Sequence, residues 1–153
     1  MRRLMLLFVL ALVLATGCAA MPKYQEFPKQ APVVASPNPD KALVYIFRGS
    51  HFIGAGVTYY VMEDTERIGA LCNGSYFFHY ANPGVHTYTA ETESKAAVTL
   101  DCKPEETYYI EGDVGIGFLI GRPKLMQVSP EEGKKLVQDL SYRPLLKTEP
   151  PKE

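Results

Sequence analysis

Between Leu43 and Val128 the chain alternates short runs rich in Val, Ile, Tyr and Phe with clusters of turn-forming residues. That rhythm constrains the fold more than any other feature. Eight runs stand out: Leu43 to Phe47, Val57 to Met62, Arg67 to Leu71, Tyr76 to Tyr80, Val85 to Glu91, Ala96 to Asp101, Thr107 to Gly112 and Lys124 to Val128. Such runs at spacings of about 8–12 residues are the pattern of an all-β antiparallel sandwich. Asp64-Thr65-Glu66 marks a hairpin and Asn73-Gly74-Ser75 a turn. Asn82-Pro83-Gly84 suits a type II turn, in which proline sets one φ and glycine supplies the positive one. The first run is apolar at every position, which predicts a central strand.

One helix follows. Ser129-Pro130-Glu131-Glu132 combines a capping box with proline at the first helical position. Leu136, Val137 and Leu140 then give a narrow apolar stripe, suited to covering an open face or edge of the sandwich.

The ends of the chain have a different character. Met1-Arg2-Arg3 followed by the apolar run Leu4 to Ala15 has the form of a secretory signal. It is shorter than the roughly 20 apolar residues a membrane span needs. Leu14-Ala15-Thr16-Gly17-Cys18 closes it as a lipobox, although the leucine sits one place earlier than in the commonest form. A cysteine after a small residue supplies the thiolate that accepts a lipid. The expectation is therefore a signal peptide at 1–17, acylation and membrane attachment at Cys18, and removal of what precedes it. Ala19 is not the aspartate that retains lipoproteins at the inner membrane, which implies the outer membrane of a Gram-negative cell, with the domain facing the periplasm.

Residues 18–40 carry Pro22, Pro28, Pro32, Pro37 and Pro39 without apolar periodicity, and read as a tether. At about 3.1 Å per residue it would reach roughly 70 Å, with Tyr24 and Phe27 solvated. The folded domain is expected at 41–141 and a disordered tail at 142–153. Loss of Arg2 and Arg3 leaves 14 basic residues against 17 acidic ones, so the electrostatic footprint of a nucleic-acid binder is absent.

From Ala42 to Leu140 the chain resembles the bacterial envelope lipoproteins that share domain of unknown function 2846. The likeness rests on Ala42-Leu43-Val44-Tyr45-Ile46-Phe47-Arg48 and on Ile68-Gly69-Ala70-Leu71. Asn73-Gly74-Ser75-Tyr76-Phe77, Pro83-Gly84-Val85-His86-Thr87 and Ala90-Glu91-Thr92-Glu93-Ser94 extend it. Thr107-Tyr108-Tyr109 and Gly121-Arg122-Pro123-Lys124-Leu125 complete it. The strand and turn layout is also similar to the small sandwiches of transthyretin-like and carboxypeptidase-regulatory-like type. The resemblance implies a compartment and a fold, and no activity.

If each connection reverses direction, Cys72 and Cys102 end strands at opposite poles. Strands of six residues span about 20 Å and a disulfide needs Cα atoms within about 7 Å, so a Cys72–Cys102 bond is disfavoured. The same count gathers Arg48, the loop Gly49 to Gly56, the loop Asp113 to Gly121 and Arg122 at one pole. Arg48, Gly49, Gly54, Gly121 and Arg122 are the candidate binding residues there: glycines let a backbone approach a ligand, and arginines clamp carboxylates or phosphates. Phe52-Ile53 and Phe118-Leu119-Ile120 in these loops either plug the sandwich or form an apolar docking patch. The tether is expected at the opposite pole.

Catalytic patterns are weak. His51, His79 and His86 lie in separate elements without metal-ligand spacing, so no metal or other cofactor is expected. Ser50-His51 has no acid placed to orient the base, and Glu91 and Glu93 read as solvated. His86, after a tight turn, reads as a hydrogen-bonded structural residue. The reading is a non-catalytic outer-membrane lipoprotein that binds an envelope protein or cell-wall component. The alternative is a carbohydrate- or peptidoglycan-binding module stacking sugars on Tyr59, Tyr60, Tyr108 and Tyr109.

Overall fold

All seven residues of the first strand, β1 (Ala42–Arg48), are buried. A strand apolar on both faces needs cover on both, and the architecture provides it. The computed structural model describes residues 27–145; the expected signal peptide, Cys18, Tyr24 and residues 146–153 lie outside them. After β1 come β2 (Tyr59–Glu63), β3 (Glu66–Leu71), β4 (Ser75–Ala81), β5 (Gly84–Glu91) and β6 (Lys95–Cys102). Then follow β7 (Thr107–Gly115), β8 (Arg122–Val128), helix α1 (Pro130–Val137) and a short β9 (Ser141–Tyr142). Over the described residues the protein is a β-sandwich with one helix. A five-stranded sheet in the order β8-β7-β1-β4-β9 packs on a four-stranded sheet in the order β3-β2-β5-β6.

β1 pairs antiparallel with β4 and parallel with β7. The parallel pair arises because every strand reverses the one before it, which makes the first and seventh point the same way. Val44, Ile46 and Arg48, with Phe77 of β4, thereby face the small sheet, which contributes Tyr59 and Leu71 to the same core. Leu43 and Tyr45 face away, beside Tyr76, Phe78, Tyr109 and Tyr142. The pole where β1 ends is called upper below.

Two elements cover the outer aromatic face. Helix α1 is capped as its sequence implies, with Ser129 Oγ accepting from the Glu132 amide at 3.3 Å. Its one buried residue is Gly133, seated on the ring of Tyr109. Leu136 is exposed, so the expected stripe narrows to Val137 and Leu140. The second cover corrects the tether expectation, because residues 27–40 lie across the sheet as a strap. Prolines deny this segment ladder partners, and tyrosine hydroxyls supply them instead. Tyr76 Oη donates to the Val33 carbonyl at 3.1 Å and accepts its amide at 3.0 Å. Tyr45 Oη accepts from the Ala35 amide at 2.9 Å, and Tyr80 Oη donates to the Ser36 carbonyl at 2.8 Å.

Phe27, expected to be solvated, is fully buried and packs against the Tyr60 ring at 5.7 Å. The expected tail is also corrected at its start. Tyr142 pairs with Tyr76 in β4, stacks on Phe78 at 5.4 Å and is buried. Gln30 bridges to Tyr142, and Arg143 donates to the Phe27 carbonyl at 2.9 Å. The strap climbs beside β9, with Gln30 antiparallel to Tyr142, then crosses the sheet and descends past the Tyr45 and Tyr80 hydroxyls to the foot of β1. The described chain thus starts alongside β9, at Arg143, and not at the foot of β1.

Because Tyr76 Oη satisfies both backbone groups of Val33, Tyr76→Phe should lower stability by about 1–2 kcal/mol. Amide exchange at Val33 should accelerate far more than exchange in β1; equal acceleration at both would mean the strap is not held by this hydroxyl.

Candidate functional site

At the upper pole the two glycine loops lie side by side, and a shallow cleft of about 600 Å³ between them is lined by His51, Phe52, Ile53, Val114, Ile116 and Lys124. The arginines do not form the expected clamp. Arg48 is fully buried, inward by the alternation of β1, and it donates to the carbonyls of Val57 and Gly54, each at 2.7 Å. It braces the 49–56 loop from beneath. Arg122 is exposed, with its Nε 3.8 Å from Glu93. The glycines serve packing: Gly54 (φ 74) and Gly121 (φ 108) both close on Val114, where a Cβ would come within 2.9 and 2.6 Å of that side chain. Gly49 adjoins the His51 ring. Arg48 and Gly54 are thus corrected from ligand-facing to loop-supporting residues.

What the pole presents to solvent is apolar. Phe52 is 98% exposed, Phe118 91%, Leu119 83% and Ile116 82%, with Ile53 also exposed. These are outward tips, not plugs. Glu93, read from sequence as solvated, fixes them. Its carboxylate accepts the amides of Phe118, Leu119 and Ile120 at 2.7, 2.8 and 3.2 Å. Those bonds, led by the one from Leu119, outweigh desolvation and hold the Glu93 carboxyl below its usual range. Thr92 Oγ1 adds a bond to the Gly121 carbonyl at 2.5 Å. With its backbone donors consumed by Glu93, the loop turns its side chains out.

The lower half carries a polar cluster that the sequence reading did not assemble. Glu63, at the end of β2, accepts from Tyr88 Oη at 2.6 Å and sits 2.8 Å from His79 Nε2. His86 lies 3.0 Å from Asp64 and 3.8 Å from Glu63, and its other nitrogen is 2.9 Å from the Asn82 carbonyl. His86 is the hydrogen-bonded residue its position after the turn implied. Desolvation alone would raise Glu63, but the bonds from His79 and Tyr88 hold it low. Asp64 is lowered by the Thr87 amide and by His86. Burial would depress His86, and the carboxylates beside it reverse that and raise it. The Tyr88 hydroxyl is pushed well above its ordinary range by burial and by Glu63. Each group is spent on another, so this cluster braces the lower ends of β2, β4 and β5. One signal could have found it: Glu63, His79, His86 and Tyr88 all fall on inward positions of their strands.

Cys72 and Cys102 are buried free thiols. They follow or end β3 and β6, the two edges of the small sheet, at opposite poles. The four candidate sugar-stacking tyrosines are not brought together. Tyr59 points into the core, and Tyr109 is stacked on Tyr45 beneath α1. Tyr60 has Arg67 over its ring at 3.7 Å. Tyr108 bonds to Asp101, Lys103 and Glu106 at the other end of the sheet. Among the described residues no group of three or more His, Cys, Asp or Glu side chains is placed to hold a metal, and no helix is long and apolar enough to cross a membrane.

Known protein families and solved structures contain no match to this chain. The chain is similar to an uncharacterized protein of Haemophilus influenzae, 29% identical over 131 residues, which span 84% of this chain and 77% of that one.

Replacing Arg48 by Met should cost about 3 kcal/mol or more, since it strands two inward carbonyls. Arg122→Ala should leave the unfolding midpoint almost unchanged. A second expectation concerns pH. Glu63 and Asp64 lie below their ordinary values of 4.5 and 3.8, so what they add is complete above those values and is lost as pH falls through the lowered folded ones. His86 lies above 6.5, so its contribution is complete below that pH and is lost as pH rises through the raised folded value. Urea midpoints measured from pH 5 to 8 should decline toward the alkaline side in the native protein and decline less in His86→Gln. Parallel profiles would remove His86 from the account.

Proposed function

We propose that the protein is a non-catalytic envelope lipoprotein, anchored to the outer membrane through acylated Cys18, whose β-sandwich acts as a docking module. The observation that carries the docking reading is the upper pole, where Phe52 stands exposed beside Ile116, Phe118 and Leu119, the latter three on a loop that Glu93 ties down. Monomeric domains seldom expose several large apolar side chains together without a surface to place them on. The anchor reading rests on Leu14 to Cys18 following a short apolar run behind two arginines, and it accords with the resemblance to the envelope lipoproteins of domain of unknown function 2846. The non-catalytic reading is favoured because the convergence of carboxylates and imidazoles around Glu63, among the described residues, spends its hydrogen bonds internally. The sugar-binding alternative loses support from the separation of its four tyrosines.

Expressed from its own signal in a bacterial host, the wild-type protein should carry a diacylglyceryl-modified, acylated N-terminal Cys18 by mass spectrometry and should float with outer-membrane vesicles. Cys18→Ser should abolish both. An unmodified wild-type chain starting elsewhere would refute the anchor.

A further inference from the structure

We infer that the groove between the strap and helix α1 binds a fatty carboxylate, a single anionic head on an aliphatic chain of medium length. The groove lies on the outer face of the large sheet and shares no lining residue with the cleft at the upper pole. It goes beyond the docking reading and stands whether or not Cys18 is acylated. Three observations carry it.

The first is the cavity. The outer face is covered in two pieces, and a groove of about 420 Å³ opens between them, a size common among small-molecule sites. Val34 and Pro37 of the strap stand on one side, and Lys134 and Val137 of α1 on the other, above a floor that includes Tyr45 and Tyr109. Pro130, Lys134 and Val137 share one helix face by their spacing.

The second is a set of unspent donors. Tyr45 and Tyr109 are 6% and 8% exposed and lie in register on neighbouring strands. Tyr45 Oη accepts the Ala35 amide and still has its own proton to donate. Tyr109 Oη has no hydrogen-bond partner among the described residues, although buried hydroxyls are ordinarily satisfied. Burial raises both hydroxyls above their ordinary range, which keeps them protonated. Lys134 is the one charged residue lining the groove, no carboxylate lines it, and Lys134 has no ion pair among the described residues. A carboxylate answers all three groups, since it carries one opposite charge and accepts several hydrogen bonds.

The third concerns the body of the ligand. The rings of Tyr45 and Tyr109 are stacked on each other at 5.2 Å and 7°, and Gly133 covers the Tyr109 ring from the helix. These rings are therefore already paired, and the groove offers valine, proline and ring edges. An aliphatic chain gains from such a lining by area alone.

The test uses the full-length protein expressed from its own signal and a decanoate carrying a photoreactive diazirine near its chain end. Cross-linked peptides mapped by mass spectrometry should fall on residues 32–37 and 137–138. Decanoate should displace the probe, and decanol and decylamine should not. Octanoate, shorter by two methylenes, should compete about tenfold less well. Tyr109→Phe removes a hydroxyl that bonds nothing in the protein, so the unfolding midpoint should stay in place while affinity falls about tenfold or more. Lys134→Met should weaken binding about three- to fivefold and Lys134→Arg should retain it. Equal displacement by decanol, or full affinity in Tyr109→Phe, overturns the inference. So does labelling concentrated on Phe52 and Phe118. Labelling seen only when Cys18→Ser keeps the acyl group off assigns the groove to the protein's own lipid; it overturns the fatty carboxylate and leaves the anchor standing. The expected labelling in a chain that mass spectrometry shows to be unacylated supports the groove and refutes the anchor alone.

Discussion

The rest of the structure depends on a single constraint: β1 is a central strand with no solvent-facing side. Seven consecutive buried residues commit the large sheet to cover on both faces. The small sheet supplies one cover in the ordinary way for a sandwich. The other cover is assembled from two pieces at opposite ends of the sequence, the strap before β1 and the helix after β8. Neither would be stable alone. The strap makes no ladder of its own beyond isolated bridges, and α1 buries only Gly133. Both are held by what the sheet offers them, chiefly tyrosine hydroxyls and rings. Tyrosine suits this position because its ring packs as core while its hydroxyl reaches past the core to a backbone group.

Most of the strand order was legible because the turn chemistry is explicit and the runs are short. Asp64-Thr65-Glu66, Asn73-Gly74-Ser75 and Asn82-Pro83-Gly84 each separate the strands they were expected to separate. Alternating directions then put Cys72 and Cys102 at opposite poles and the two glycine loops at the same one. The strap was not legible. Proline-rich segments without periodicity look alike whether they hang free or lie on a surface, and what decides between the two is a tyrosine hydroxyl more than forty residues away, as at Val33 and Tyr76. Arg48 failed for another reason. Adjacency to a glycine loop says which pole a residue occupies, but the alternation of β1 says which way it points, and the second consideration buries the guanidinium.

The two poles solve opposite problems. The lower one gathers ionisable groups inside the sandwich and satisfies them there, so Glu63 stays charged although little of it meets water. The upper one does the reverse, keeping large apolar groups outside by satisfying the backbone beneath them. In each case a single carboxylate organises the arrangement: Glu63 through side chains, Glu93 through amides. Neither function attaches to the residue type by itself. A carboxylate beside a turn is a solvated charge unless donors from a distant segment are delivered to it, and here the 116–121 loop delivers them.

The contacts of Gln30 with Tyr142 and of Phe27 with Arg143 join the first described segment to the last. They also impose an order on assembly. The strap is among the earliest parts of the domain to be made, yet two of its attachments do not exist until the final strand has been made. The strap therefore has its full set of attachments only once the last strand is in place. A stretch attached in this way is held down completely only when there is a finished sheet to lie on.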